Sequence, residues 1–263
     1  MKSKINIETS IITPIYNAED FLEETLQSIL EQTYTDWESI LINDNSTDKS
    51  LEIAEKYVQR DPRFKIINKT ESGGAAKARN AGIEAATGRF IAFLDSDDIW
   101  LPEKLAEQIT FMKSKKIDFS YSSYHFISEA GAVAGNVMVP EQVNYNQLLK
   151  GNVVACLTAI YDTKNLGKVF MPDILKRQDF GLWLKITRGG VTGYGLQKPL
   201  AKYRLRTGSI SHAKFNTMLY TWDLYRKVEG LSFVLSLRYI GSHLLIASIK
   251  RLKNQFKVFL QKN

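Results

Sequence analysis

The feature that most narrows what this chain can fold into is an alternation of two hydrophobic periods. Short β-rich runs, Ser10 to Thr13, Ser39 to Ile42, Phe64 to Ile67 and Phe90 to Leu94, are separated by stretches of helical spacing. Residues 19–31 place Phe21, Leu22, Thr25, Leu26, Ile29 and Leu30 at that spacing, behind Asn17 as N-cap with Asp20 three residues on, an aspartate version of the capping box. Residues 47–59 repeat the arrangement after Ser46, with Leu51, Ala54, Tyr57 and Val58 inward, and the Ala-rich stretch 74–86 stops at Gly88 as its C′ residue. Strand, helix, strand, helix in this rhythm predicts an α/β fold with a parallel sheet and right-handed crossovers. Further on, 103 to about 114 reads as a helix facing inward through Leu105, Ile109 and Met112, and 179–188 as a short helix with Leu182, Trp183 and Ile186 inward. Residues 191–206 read as extended, and the pattern from about 212 onward is helical.

Parallel sheets bind ligands at the carboxyl ends of their strands. Strand one ends in Thr13-Pro14-Ile15-Tyr16-Asn17, strand two in Asn43-Asp44-Asn45-Ser46-Thr47-Asp48 and strand four in Asp95-Ser96-Asp97-Asp98, so three polar clusters converge on one edge. Three carboxylates within four residues repel one another unless a cation sits between them. Mg²⁺ or Mn²⁺, held by one or two carboxylates plus substrate phosphates, resolves that crowding. Either Asp97 or Asp98 alone is explained as a cap of the helix beginning near Leu101, but capping does not explain all three. Asp48 belongs in the first turn of its helix on macrodipole grounds, whereas Asp44, directly after a strand, is placed to accept from a base or ribose. Gly73-Gly74 ahead of a helix is a weaker sign of backbone N–H groups offered to an anion.

Taken together, TPIYN, the INDNSTD run, GGAAKARNAG and FLDSDDIWLPEKL, in this order over residues 8–105, resemble the nucleotide-sugar half of family 2 glycosyltransferases. The resemblance implies a GT-A fold, a Rossmann-like and mostly parallel sheet with helices on both faces. It also implies inverting transfer from a nucleotide-sugar, usually a UDP-sugar, with a divalent metal. Carried over residue by residue, it puts Thr13, Pro14 and Tyr16 around the base, Asp44 on uracil and Arg79 at the base. Asp95, Asp97 and Asp98 meet ribose and, through Mn²⁺ or Mg²⁺, the diphosphate; the DSDD run registers two ways, with Asp97 the first choice as metal ligand and Asp98 the second. Lys176 to Leu184 is similar to the family's acidic-pair segment, with Gln178 in place of the usual glutamate, and Asp179 is the general base that the resemblance names. Lys202 to His212 resembles a segment that closes over the donor, where Arg204 pairs with diphosphate oxygens or with the base aspartate; the alternative is a solvated basic strand. The QxxRW motif and transmembrane helices of processive members are absent from the sequence, so one sugar per encounter is expected.

Charge divides unevenly. Residues 196–263 hold 13 Lys/Arg against 2 Asp/Glu, a net of +11, which leaves −4 for the first 195 of a chain of net +7. An acidic body with a basic, apolar end argues against a nucleic-acid binder and for a helix on an anionic lipid surface. Phe233, Leu237, Ile240, Leu244 and Ala247 follow a 4-3-4-3 spacing, with Ser236, His243, Lys250 and Lys257 opposite. An interfacial helix is favoured over one packed on the core, and Arg238 and His243 disfavour a transmembrane span. One cysteine, Cys156, excludes a disulfide framework and reads as an inert core thiol. His125 and His243 read as packing or surface residues, with His212 a weak candidate to assist a metal.

The expected organisation is a catalytic domain over 1–210, divided into a nucleotide-sugar half (1–115) and an acceptor half (116–210), followed by a basic helical region over 211–263. The N-terminal run is too short for a signal-peptide core, and the expected location is peripheral, on the cytoplasmic face of a bacterial inner membrane. The expected donor is UDP-galactose, UDP-glucose or UDP-N-acetylglucosamine, and the expected acceptor a polyprenyl-diphosphate-linked sugar such as GlcNAc-diphosphoundecaprenol, in O-antigen or capsule assembly. The alternative, prompted by Gln178, is a nucleotide-sugar or lipid-binding protein that kept the fold and lost turnover.

Overall fold

The computed structural model describes residues 7–206, 214–243 and 245. The β-rich runs become β1 (Thr9–Ile15), β2 (Trp37–Asn43), β3 (Phe64–Asn68) and β4 (Phe90–Phe93), slightly longer than hydropathy alone delimits for the first three. They are joined by α1 (Leu22–Leu30), α2 (Ser50–Arg60) and α3 (Gly74–Ala85). After β4 come β5 (Ile99–Trp100), α4 (Lys104–Lys115), β6 (Phe119–Ile127), β7 (Val133–Val137), β8 (Gln142–Val143) and α5 (Tyr145–Lys150). Then follow β9 (Ile160–Asp162), α6 (Thr163–Leu166), α7 (Gln178–Arg188), β10 (Gly193–Arg204) and α8 (Lys214–Asp223). A π-helical turn, Leu224–Val228, continues α8, and a last described helix, α9, covers 233–243.

Among the described residues the strands make one sheet in the order β3-β2-β1-β4-β9-β6-β10-β5, with β7 added to β6 and β8 to β10. The first four strands pair in parallel, with Ile12 opposite both Ile40 and Phe93. The next two pairings, β4 to β9 and β9 to β6, are antiparallel. Strand order reverses across β1, since β2 lies on one side of it and β4 on the other, and that reversal opens a crevice at the carboxyl edge.

Both faces of the sheet are covered, which is why β1, β2 and β4 read as nearly unbroken apolar runs. One layer packs α1, α2 and α4 against Ile11, Leu41 and Ala92; the other packs α3, α5 and α7 against Ile12, Ile42, Phe93 and Tyr161. The inward faces read for α4 and α7 are the buried ones: Leu105, Ile109 and Met112, and Leu182, Trp183 and Ile186. Gly82 sets the approach of α3 to the sheet, because a Cβ there would stand 2.6 Å from Ile12 Cγ2.

Three local expectations are corrected. Helix α3 ends at Ala85, and Gly88 instead passes so close to β1 that a Cβ would lie 2.7 Å from the Ser10 nitrogen. Asn17 and Ser46 cap neither α1 nor α2, which start at Leu22 and Ser50. The third concerns α9, where Ile240 of the apolar stripe turns inward together with Ser236 and His243 of the opposite one. The inward face of this helix is Ser236, Tyr239, Ile240 and His243, with Ser236 fully buried, whereas Phe233, Val234 and Leu237 are exposed. The polar side chains of that inward face are satisfied by the protein: His243 Nε2 lies 2.7 Å from the Tyr225 hydroxyl, and Ser236 Oγ donates to the Ser232 carbonyl at 2.9 Å. No helix among the described residues is long and apolar enough to cross a membrane. Leu244, Ala247, Lys250, Lys257 and His212 lie outside the residues whose side chains are described.

Candidate active site

The loops after β1 and β2 brace each other. Asn17, at φ +45°, donates its N–H to Ser46 Oγ (3.2 Å), and its side-chain oxygen accepts from the Thr47 N–H (2.9 Å). Glu19 N–H donates to Asp48 (3.0 Å), and Lys49 N–H donates to Glu19 (3.0 Å). The residues read as helix caps therefore tie the two loops together, and Asp48 is structural. Tyr16 projects from this platform, 57% exposed, beside a backbone bond from Asp44 N–H to the Ile15 carbonyl. Pro14 is half-buried. Thr13 is fully buried on the strand, its hydroxyl without a hydrogen-bond partner among the described residues.

Asp44 is the anion that the Gly73-Gly74 turn receives. Its carboxylate accepts from Gly73 N–H (3.0 Å), Gly74 N–H (2.8 Å) and Ser72 Oγ (2.8 Å), and pairs with Lys69. Gly74, at φ +81°, supplies the left-handed backbone this turn requires. Burial by itself would raise the Asp44 carboxyl, but these donors outweigh it and hold the group below its ordinary range.

At the end of β4 the balance is opposite. Asp95 pairs with Arg79, which reaches the edge from α3; burial opposes the Arg79 charge, but the Asp95 carboxylate prevails and keeps it protonated. Asp97 is raised by burial and by Asp95, with Arg206 Nη1 3.5 Å away pulling the other way. Asp98 is buried and pushed well above its usual range by burial, then by Asp97 and Asp95. The Arg204 N–H donates to it at 2.9 Å. Neither carboxylate caps α4, because β5 and a turn intervene. The Arg204 guanidinium is occupied by the protein: Nε donates to the Asp97 carbonyl (2.9 Å), Nη1 to the Glu129 carbonyl (2.7 Å), and Nη2 pairs with Glu24.

These residues fit a divalent ion bound together with phosphate. No group of three or more His, Cys, Asp or Glu able to hold a metal unaided occurs among the described residues. Asp97 nevertheless keeps a quarter of its side chain open and carries a charge its surroundings disfavour. A hard cation completed by substrate oxygens suits that donor set.

Asp179 lies in the first turn of α7, after Arg177 at φ +69° and the buried Gln178. Burial raises its carboxyl; the Phe180 N–H and the charges of Arg79 and Arg177 lower it, and Asp95 raises it again, leaving it above the usual carboxylate range. Arg79 thus pairs with the β4 carboxylate of Asp95 and also feels the charge of Asp179 from α7, with Cys156 buried. Lys69, Ser72 and Arg206 escaped the sequence reading. Lys69 directly follows β3, so the strand-end position that marks Asp44 and Asp95 marks it as well; Arg206 lies within the basic segment 202–212, and Ser72 carries no comparable local signal.

The Glycosyl transferase family 2 model matches residues 10–161, more than half of the chain. TuaG of Bacillus subtilis (strain 168), which carries the name of a teichuronic acid biosynthesis glycosyltransferase, is 40% identical over 86% of this chain and 90% of its own. WfgD of Escherichia coli, named a UDP-Glc:alpha-D-GlcNAc-diphosphoundecaprenol beta-1,3-glucosyltransferase, is 38% identical over 82% of this chain and 84% of its own. Among solved structures, S. aureus TarS 1-349 in complex with UDP-GlcNAc superposes with TM-score 0.69 at 23% identity, over 90% of this chain and 72% of that one. The mannosyltransferase PcManGT of Pyrobaculum calidifontis, in complex with GDP-Man and Mn2+, does so with TM-score 0.64 at 16% identity, over 98% and 84%. A sheet that reverses across β1, an acidic β4 end and a matching model spanning both make this chain a member of glycosyl transferase family 2, with the GT-A architecture.

Proposed function

We propose that the chain transfers one hexosyl or N-acetylhexosaminyl residue from a UDP-sugar to a sugar on a polyprenyl diphosphate, with inversion, in assembly of a bacterial surface polysaccharide. UDP-glucose and GlcNAc-diphosphoundecaprenol are the favoured pair, supported by the name that WfgD carries and by WfaP of Escherichia coli, named for the same reaction and 38% identical over 80% of this chain. The observation that carries the reading is a pair of disfavoured carboxylates, Asp97 at the β4 end and Asp179 at the start of α7, each raised further by Asp95, the partner of Arg79.

In this reading the base packs on the exposed Tyr16 ring, and Pro14 forms the wall beneath it. Asp44 meets uracil only if the Ser72–Gly74 turn releases part of its carboxylate, so base binding and the start of α3 are coupled. Thr13 and Arg204 act by shaping the strand ends, and Arg79 by fixing Asp95 toward the ribose. Asp97, with Asp98 behind it, would hold Mn²⁺ or Mg²⁺, which supplies positive charge against the departing diphosphate. Asp179 accepts the proton of the acceptor hydroxyl as that oxygen bonds to the anomeric carbon. The bond from that carbon to the diphosphate breaks on the opposite face, and UDP leaves with the electron pair.

The test measures UDP release from several UDP-sugars with Mn²⁺, with and without a synthetic GlcNAc-diphosphate lipid. Acceptor-dependent release, lost in Asp179→Asn, is the expected result. Donor binding without transfer to any such acceptor would contradict the transferase reading and favour the non-catalytic binder.

A further inference from the structure

We propose that α9 is a membrane-docking helix whose outer face, Phe233, Val234 and Leu237, rests on an anionic lipid surface while its inner face is fastened to the helix that carries Asp179. Five of the large apolar side chains left exposed in the described chain fall within 233–245: Phe233 58%, Val234 74%, Leu235 40%, Leu237 50% and Leu245 63%. A concentration of this kind on one short element marks a surface made for contact.

The other side of the helix is bound to the enzyme. Tyr225 donates its hydroxyl to the Leu149 carbonyl at 2.5 Å and meets His243 Nε2 at 2.7 Å. The Phe180 ring stands 6.3 Å from the rings of both Tyr225 and His243, and Tyr239 packs 6.2 Å from Tyr225. Phe180 directly follows Asp179. A helix held in this way transmits the plane of whatever its outer face touches to the catalytic carboxylate, through packed rings.

Charge selects the occupant. Of the acids near this face, Asp223 pairs with Lys227 at 3.0 Å, and Glu229 is buried against Arg188 and Tyr145. Exposed Arg226 and Arg238 are then left to set the outward sign. The sequence from 246 to 263 adds five Lys/Arg and no acid. An apolar stripe flanked by cations suits anionic headgroups over acyl chains, whereas a second copy would bring like charges together.

The idea rests on the reading of Asp179 as base and of the acceptor as lipid-linked, but its first readout is independent of transfer. Full-length wild type and the Val234→Ser/Leu237→Ser double variant are sedimented with phosphatidylglycerol vesicles and with phosphatidylcholine vesicles. Wild type is expected on the anionic vesicles, the double variant at least about tenfold weaker. Transfer to acceptor embedded in those vesicles should fall in step, and transfer to a short-chain soluble acceptor should not change. Equal vesicle binding by the two proteins overturns the proposal. So does a variant that only loses a dimer, which assigns the face to a second copy, or one that only loses thermal stability, which assigns it to this chain's own residues. Vesicle binding without transfer to any acceptor keeps the docking face and overturns the transferase reading.

Discussion

Two strand ends flank β1 and treat their carboxylates in opposite ways. At the end of β2, Asp44 is buried yet held below its ordinary range, because two backbone N–H groups, a hydroxyl and an ammonium converge on it. At the end of β4, Asp98 is buried and Asp97 half-buried, and both are raised, although the Arg206 guanidinium lies 3.5 Å from Asp97 and the Arg204 N–H donates to Asp98. Elsewhere in the sheet Glu38, paired with Lys65 and bonded by Ser10 and Thr87, follows the Asp44 pattern. Glu38 and Asp44 are thus fully partnered. The β4 end departs from this pattern where a cation-bound diphosphate would restore the balance.

The comparison breaks first at Asp179. If its carboxylate is the base, Asp179→Asn should lower transfer about 10³-fold while UDP-sugar affinity, read by calorimetry, stays near wild type. In wild type, kcat/KM should climb with pH through a value above the ordinary carboxylate range, because the raised group must lose its proton to act. Next, Asp97→Ala should weaken metal-dependent donor binding by roughly 10- to 100-fold. The opposite behaviour is expected at the partnered end. Asp44→Ala leaves two N–H groups and Lys69 facing a gap, so the thermal midpoint should fall by roughly 5 °C or more, with or without metal.

The smallest effect concerns Lys104, fully buried over the Trp100 ring with Gln108 as its side-chain hydrogen-bond partner, its ammonium pushed down to about 7 by burial. A lysine lowered by folding contributes stability that is present above its unfolded range and lost as pH falls through about 7. Lys104→Met should therefore raise the midpoint by about 3 °C at pH 6 and by less at pH 9, measured by calorimetry.

Much of this was legible in the residue pattern, for identifiable reasons. The four parallel strands and the inward faces of α4 and α7 follow from hydrophobic period alone, since each buries one continuous set of apolar side chains. The convergence of polar clusters follows from the parallel topology. What escaped depends on partners far along the chain. Asn17 and Ser46 look like caps until the loops are brought together across about 29 residues. The anion expected at Gly73-Gly74 is Asp44 of the same chain. For α9 the period separates an apolar from a polar stripe, but no local signal shows that Tyr225 waits for His243 or that the Ser236 hydroxyl is satisfied one turn back, so that the polar stripe turns inward. Arg204 has the chemistry of a phosphate ligand, but its donors are claimed by carbonyls and by Glu24 from distant segments.

The crowding of the β4 carboxylates upsets a charge balance that a cation shared with a sugar nucleotide would restore. Isothermal titration of UDP-glucose into the full-length protein, with Mn²⁺ and then with chelator, tests it most directly. Binding strengthened at least about tenfold by Mn²⁺, with that gain abolished in Asp97→Ala, is the expected result. Equal affinity with Mn²⁺ and with chelator, or a gain that survives Asp97→Ala, would contradict it.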